Sequence, residues 1–192
     1  DTMKITQEFE VHRPVQVVWD FFQDIPEVAQ CLPGAELISD NGDGSYTGRV
    51  AVKLGPMSAT FDGSAKVTPD PATHSGLIDG KGEDRRGKSR GAVKVTYTLS
   101  AQGSTATVVS VDADVTLTGA AAQFGRGGLI TEMSNRLIAE FVQCCEGKLA
   151  ATTVEERQEI KAAEVKPFAL FLSSLVAWLK KRRLAFLIRL LV

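Results

Sequence analysis

Between Ala35 and Thr118 the chain alternates apolar and polar residues with a period of two, and this stretch constrains the architecture most. Alternation places successive side chains on opposite faces of a strand. Tyr46, Gly48, Val50, Val52 and Leu54 fall on one face, with Thr47, Arg49 and Lys53 on the other. Ala59, Phe61, Gly63, Ala65 and Val67 alternate with Thr60, Asp62, Ser64 and Lys66. Val93, Val95, Tyr97 and Leu99 do the same against Lys94, Thr96 and Thr98, and Val109, Val111, Ala113, Val115 and Leu117 against Asp112, Asp114 and Thr116. Turn residues separate the runs at Asn41-Gly42-Asp43-Gly44, Gly55-Pro56, Pro69-Asp70-Pro71 and Gln102-Gly103-Ser104. A weaker strand is expected over residues 73–81. The following stretch, Lys81 to Gly91, with five basic and two acidic residues, reads as a long exposed loop. One wet and one dry face over six or seven consecutive strands predicts a curved antiparallel sheet, not a parallel one.

The flanks supply the helices. Residues 4–11 read as a strand, with Ile5, Phe9 and Val11 on or near one side. Arg13-Pro14 opens a helix, because proline fits the first turn. Val15, Val18, Trp19 and Phe22 form its apolar stripe, and a second short helical turn runs from Ile25-Pro26 to Cys31. Leu32-Pro33-Gly34 breaks it. After Gly119 the period changes. Ile130, Met133, Leu137, Phe141 and Cys144 or Cys145 recur at spacings of three and four, which predicts an amphipathic helix over residues 127–148. The expected fold is α+β: a curved antiparallel sheet wrapped around a long C-terminal helix, with a pair of short helices after the first strand.

Charge divides the chain further. Residues 1–154 carry 14 basic and 19 acidic side chains, a net −5. Residues 155–165 carry −2, and residues 166–192 hold six basic residues and no acid. The expected organisation is a ligand-binding body over 3–149, a polar linker over 150–166 and a basic-apolar tail over 167–192. Neither apolar run of the tail reaches the ~20 residues that cross a bilayer. Phe168, Phe171, Leu172, Leu175 and Trp178 beside Lys180, Lys181, Arg182 and Arg183 suit an interfacial anchor on anionic lipid. A helix packed on a protein partner or in an oligomer is the competing reading. The acidic body and the absence of aromatics from the basic loop argue against nucleic acid.

The dry faces hold small residues, Gly48, Ala59, Gly63, Ala65 and Ala113, where a solid core would favour Leu or Phe. They leave space for an apolar ligand, or they permit sheet curvature around a full core. In the first case Trp19, Phe61, Tyr97, Phe124 and Met133 line the space, with Leu137 and Phe141 from the stripe of the long helix. The glycine-rich segment Gly119 to Gly128 reads as a connector or as a gate carrying Phe124. It lacks the Lys-Ser/Thr pair of a phosphate loop. His12 and His74 have no Asp, Glu or Cys at ligand spacing, so no catalytic or metal-binding residue is nominated. Cys31, Cys144 and Cys145 read as buried small hydrophobes, and their odd number fits a reducing compartment.

Four segments also carry a family resemblance: Val17-Val18-Trp19-Asp20-Phe21-Phe22, Cys31-Leu32-Pro33-Gly34-Ala35, Gly80-Lys81-Gly82, and Gly119 through Gly125. Together they make residues 3–149 resemble the carbon monoxide dehydrogenase G-subunit family of the START-like (SRPBCC) helix-grip superfamily. The resemblance implies a sheet gripping the C-terminal helix around a hydrophobic cavity, and a non-enzymatic accessory role beside a molybdenum-type carbon monoxide dehydrogenase. It further implies association with the membrane, which, with the reducing compartment that the cysteines fit, gives an expected peripheral position on the cytoplasmic face of the inner membrane. The implied ligand is a respiratory quinone, menaquinone or ubiquinone, with no covalently bound cofactor. A recruitment module with an empty core is the alternative.

Overall fold

The computed structural model describes residues 2–54, 57–125 and 128–162. Seven antiparallel strands form one sheet in the order β1-β7-β6-β5-β4-β3-β2. They are β1 (Thr2–Val11), β2 (Ala35–Asp40), β3 (Ser45–Leu54), β4 (Met57–Asp70), β5 (Ser75–Asp84), β6 (Ser89–Gln102) and β7 (Ala106–Gly119). The order follows from short hairpins between neighbours. The first strand alone crosses over to pair with the last, through α1 (Val15–Gln23) and α2 (Ile25–Gln30). The long helix α3 (Leu129–Ala150) then packs on β1. A 3-10 turn over Ala120–Gly125 joins β7 to it.

The expected alternation becomes two chemically distinct faces. On the outer face, register sets Lys4, Asp114, Lys94, Asp79 and Lys66 side by side across five strands. Lys4 pairs with Asp114 at 2.9 Å. Near the other end Asp62 receives Arg49 and Arg85, each at 2.8 Å. Hydrogen bonds from Arg85 and then Arg49 hold the Asp62 carboxyl below its ordinary pKa. On the inner face, Trp19, Val18, Val11, Tyr97, Leu99 and Val109 are buried together where α1 crosses β6 and β7. A second cluster joins Phe21, Cys31, Phe141, Cys144 and Cys145 between α1, α2 and α3. Each such large side chain contributes roughly 1.5–3 kcal/mol on burial.

Two expectations need correction, and the linker gains detail. The segment from Lys81 to Gly91 is not a long loop. β5 runs to Asp84 and β6 begins at Ser89, leaving a four-residue turn. Its alternation was hidden because the inner positions are Gly80, Gly82 and Gly91, which give no apolar signal. The polar linker is partly helical in the part described. Thr153 and Glu156 form a capping box that starts α4 (Val154–Glu159), Ile160 packs on the second cluster, and the Ala162 amide donates to the Gln30 carbonyl at 2.8 Å. The cysteines are not all inert. Cys31 and Cys144, 113 residues apart, form a disulfide with Cα atoms 5.3 Å apart, and Cys145 stays free and buried.

Candidate functional site: an apolar cleft on the inner face

The inner face reads as rows of side chains set by register. Tyr97 and Val111 share a row with Gly76, and a β-carbon at Gly76 would overlap the Tyr97 ring. The next row holds Val67, Ile78, Val95, Ala113 and Ile5, and the one after it Tyr46, Ala65, Gly80, Val93, Val115 and Met3. Then four glycines, Gly48, Gly63, Gly82 and Gly91, face one another across β3 to β6. A β-carbon at Gly63 would collide with the Lys81 carbonyl and the Gly82 backbone, so strands cross there at a separation only glycine permits. Phe61, Val50 and Asp84 form the row beyond.

These rows differ in cover. The aromatic end is sealed. Phe22 sits 5.8 Å from Tyr97 and 6.0 Å from Phe141, and Phe9 stands 5.9 Å from Phe141. Past this plug most inner residues of β3 to β6, among them Tyr46, Phe61, Ala65 and Val93, are half-buried and Val50 is 44% exposed, while Gly80, Asp84 and Ser89 are buried. On α3, Met133 is half-buried and Leu137 is 39% exposed. Among the described residues, the space is therefore an open cleft with an apolar wall and a floor without side chains at the glycine row. It is not a sealed chamber. Such a surface can take an elongated apolar molecule, its walls offering dispersion contacts and nothing to anchor charge except Asp84 and the Tyr46 hydroxyl. Burial, then the nearby Asp40 carboxylate, keeps Tyr46 protonated above its ordinary pKa.

The residues expected to line the site divide between plug and cleft. Trp19, Tyr97 and Phe141 are 5–6% exposed and belong to the packed aromatic end. Phe61 lies on the inner face of β4 in the row beyond the glycines, while Met133 and Leu137 lie on α3, half-buried and exposed respectively. The Phe124 side chain, and the tail with Phe168, Phe171, Leu172, Leu175, Trp178 and Lys180 to Arg183, lie outside the described residues. Sequence reasoning missed Phe22 as the bridge of the plug, and Gly82 and Gly91 as half of the glycine row. The repeated glycine at alternate positions of 76–82 was the available signal.

Two depressions of about 620 and 450 Å3 lie on the outer face instead. Lys4, Lys66, Asp79, Lys94 and Asp114 wall the larger one. Their charges alternate in sign, and Lys4 pairs with Asp114, which suits neither an apolar ligand nor a single-sign one.

The histidines stand apart from the cleft. His12 is less isolated than its neighbours in sequence imply. Its Nδ1 lies 3.1 Å from Glu146 and its Nε2 3.2 Å from Glu10, because α3 returns alongside the end of β1. His74, in a left-handed turn at φ 47°, accepts the Leu99 amide on its carbonyl and rests against Trp19. Among the described residues no cluster of three or more His, Cys, Asp or Glu is placed to hold a metal ion. No described helix is long and apolar enough to cross a membrane.

Known proteins share this architecture. A conserved protein from Geobacillus kaustophilus superposes with a TM-score of 0.67 at 16% identity, covering 77% of this chain and 95% of that one. The Zhui aromatase/cyclase from a Streptomyces species gives 0.57 at 14% identity over 78% and 94%. A START superfamily protein from Mycobacterium smegmatis gives 0.52 at 17% identity over 78% and 99%. At such identities the likeness concerns the fold, a START-like helix grip. Among curated sequences none matches. The family model of the carbon monoxide dehydrogenase G-subunit (CoxG) matches residues 8–150, from the first strand through the end of α3, and the chain belongs to that family.

Proposed function

We propose that this protein is a non-catalytic carrier of a hydrophobic small molecule, a respiratory quinone, and serves a molybdenum-type carbon monoxide dehydrogenase at a membrane surface. The observation that carries the reading is the half-exposed apolar wall of β3 to β6 ending in the glycine row. An isoprenoid-like chain fits such a cleft because it needs area and no charge partner. Family membership supplies the enzyme partner. The histidines support carriage over catalysis, since His12 is engaged by two carboxylates and His74 packs on Trp19, both away from the cleft. The tail's six basic and many apolar residues supply the membrane link.

The test is organic extraction of the purified full chain followed by mass spectrometry, with titration of a short-chain quinone beside it. Ala65 lies in the row before the glycines, and an Ala65→Trp substitution places a ring in the cleft. Extraction of a quinone from the original protein, with quinone binding lost in the variant at nearly unchanged melting temperature, supports carriage. An unliganded extract together with no quinone binding by the original protein overturns it and leaves a recruitment adaptor.

A further inference from the structure

Asp84 closes β5 on the inner face, at the end of the cleft away from the aromatic plug. It is only 9% exposed. A carboxylate so placed needs donors, because burial without them costs free energy. Other aspartates at strand ends find donors in the turn amides that follow. Asp40 accepts from Gly42 at 2.9 Å and Asp70 from Ala72 at 3.1 Å. After Asp84 the turn amide of Gly87 donates instead to the Asp84 backbone carbonyl, at 2.7 Å. On the outer face, Asp62 and Asp114 take arginine and lysine. Among the described residues, no hydrogen bond or ion pair reaches the Asp84 carboxylate. Every fully sealed side-chain oxygen among them has a partner, so the Asp84 oxygens touch open space. That space is the cleft, since Asp84 shares its row with Phe61 and Val50.

The surroundings select the donor. Arg85, Arg86 and Lys88 of the adjoining turn are exposed, and a cationic head would meet their charge. An anionic head would meet Asp84 itself. A neutral hydroxyl meets neither obstacle, and it donates the hydrogen bond that a carboxylate can only accept. On β6, Ser89 is buried and its Oγ accepts the Ala121 amide at 3.0 Å. The 3-10 turn thereby caps this end at Ser89, and a hydrogen bond to a charged group is stronger there than in open water. Phe61 stands across from Asp84, and the glycine row beside them leaves a floor without side chains that admits a planar ring. From Ile78 to Asp84 the strand runs about 20 Å. An apolar chain can lie along these rows with its head at Asp84.

We infer that Asp84 is the head-group acceptor of the cleft, and that it selects apolar-chain molecules whose ring head carries a neutral hydroxyl. The inference rests on the carrier reading and names the redox form of its guest. A hydroquinone offers ring hydroxyls that donate to Asp84, whereas the carbonyls of the oxidised quinone only accept. The reduced form is therefore held more tightly. The carrier takes up its guest after reduction and gives it up after oxidation.

The test is titration calorimetry of the full chain with para-pentylphenol and with its methyl ether, para-pentylanisole, which keeps the ring and chain and lacks the donor. The original chain should bind the phenol about tenfold more tightly, the worth of one hydrogen bond to a charged acceptor. Asp84→Leu should bind both alike. Its melting temperature should be unchanged or raised, because a buried carboxylate without a donor is removed. Asp84→Asn keeps the shape and accepts more weakly, so its preference should fall between. Without air, a short-chain quinone and its dithionite-reduced form should repeat the pattern, with the hydroquinone favoured by the original chain. Equal binding of phenol and ether by the original chain, or a full preference surviving in both variants, overturns the role of Asp84 and leaves carriage intact. A melting temperature lowered in both variants marks a structural carboxylate and also overturns it. Binding of neither compound by the original chain overturns the cleft as a binding surface, and the carrier reading with it.

Discussion

Lys148 has no exposed surface, yet it carries a charge in the middle of the structure. Its three ammonium hydrogens are placed by Glu27 at 2.7 Å, Gln30 at 2.8 Å and the Arg157 carbonyl at 2.7 Å. One side chain thereby fastens α2, α3 and α4. Removing only the acid leaves a buried cation unpaired, so Glu27→Ala should destabilise by about 3–5 kcal/mol. Replacing both partners together, Lys148→Met with Glu27→Leu, leaves no unpaired charge and should cost much less. Chemical denaturation of both variants decides this. Four residues away, the Cys31–Cys144 disulfide closes a loop of more than a hundred residues between the same helices. Reduction, or Cys144→Ser, should cost about 2–5 kcal/mol, read as a lower melting temperature that reductant does not lower further in the variant. Burial pushes the free Cys145 thiol up to about 12, with Lys148 partly opposing it. Its folded pKa is above the unfolded one, so the stability it contributes is complete below the ordinary thiol pKa. That contribution is lost as pH rises toward 12. None of this was legible in sequence. A lysine among Gly147 and Leu149 reads as a solvated helix end, and cysteines 113 apart declare no pairing.

Elements were far more legible than their contacts. Strands with apolar inner residues were visible because their period is unmistakable, and α3 because its stripe switches to spacings of three and four. β5 was shortened for a physical reason: glycine marks neither face, and Gly76, Gly80 and Gly82 occupy inner positions. Gly82 belongs to the row without side chains, so the row that departs most from a packed sheet carried the weakest signal. Its glycines are not equivalent. At Gly63 a β-carbon strikes the β5 backbone, whereas at Gly91 it would meet only the Leu117 side chain at 3.5 Å, an ordinary contact. Gly63→Ala should therefore destabilise by about 1–3 kcal/mol. Gly91→Ala should be neutral or gain up to about 0.5–1 kcal/mol from reduced chain entropy. Thermal unfolding of the pair checks the crossing geometry. It also shows why a bulky probe of the cleft belongs at Ala65, since Gly63→Trp would fail to pack whether or not the cleft binds anything.

At the scale of the described residues, one sheet face carries a ladder of alternating lysines and aspartates, while the other presents an apolar wall packed at its aromatic end under α1 and capped at Ser89 by the 3-10 turn, with half-buried residues between. The sequence also carries a second apolar stretch, flanked by basic residues, in residues 167–192. The body's boundary matters for testing it. Ending the chain at Ala150 would strip Ile160 from the second cluster and the Arg157 carbonyl from Lys148, and would confuse lost anchoring with lost stability. Ending it at Ala162 removes the tail and leaves those contacts whole. That shortened protein should melt within a few degrees of the full chain yet fail to float with vesicles containing anionic lipid. The full chain should float, and raising salt should weaken its binding without abolishing it, because screening acts on Lys180, Lys181, Arg182 and Arg183 while insertion of Phe171 and Trp178 persists. Equal flotation of the two chains would place membrane attachment on the body, and complete release by salt would reduce the tail to an electrostatic tether.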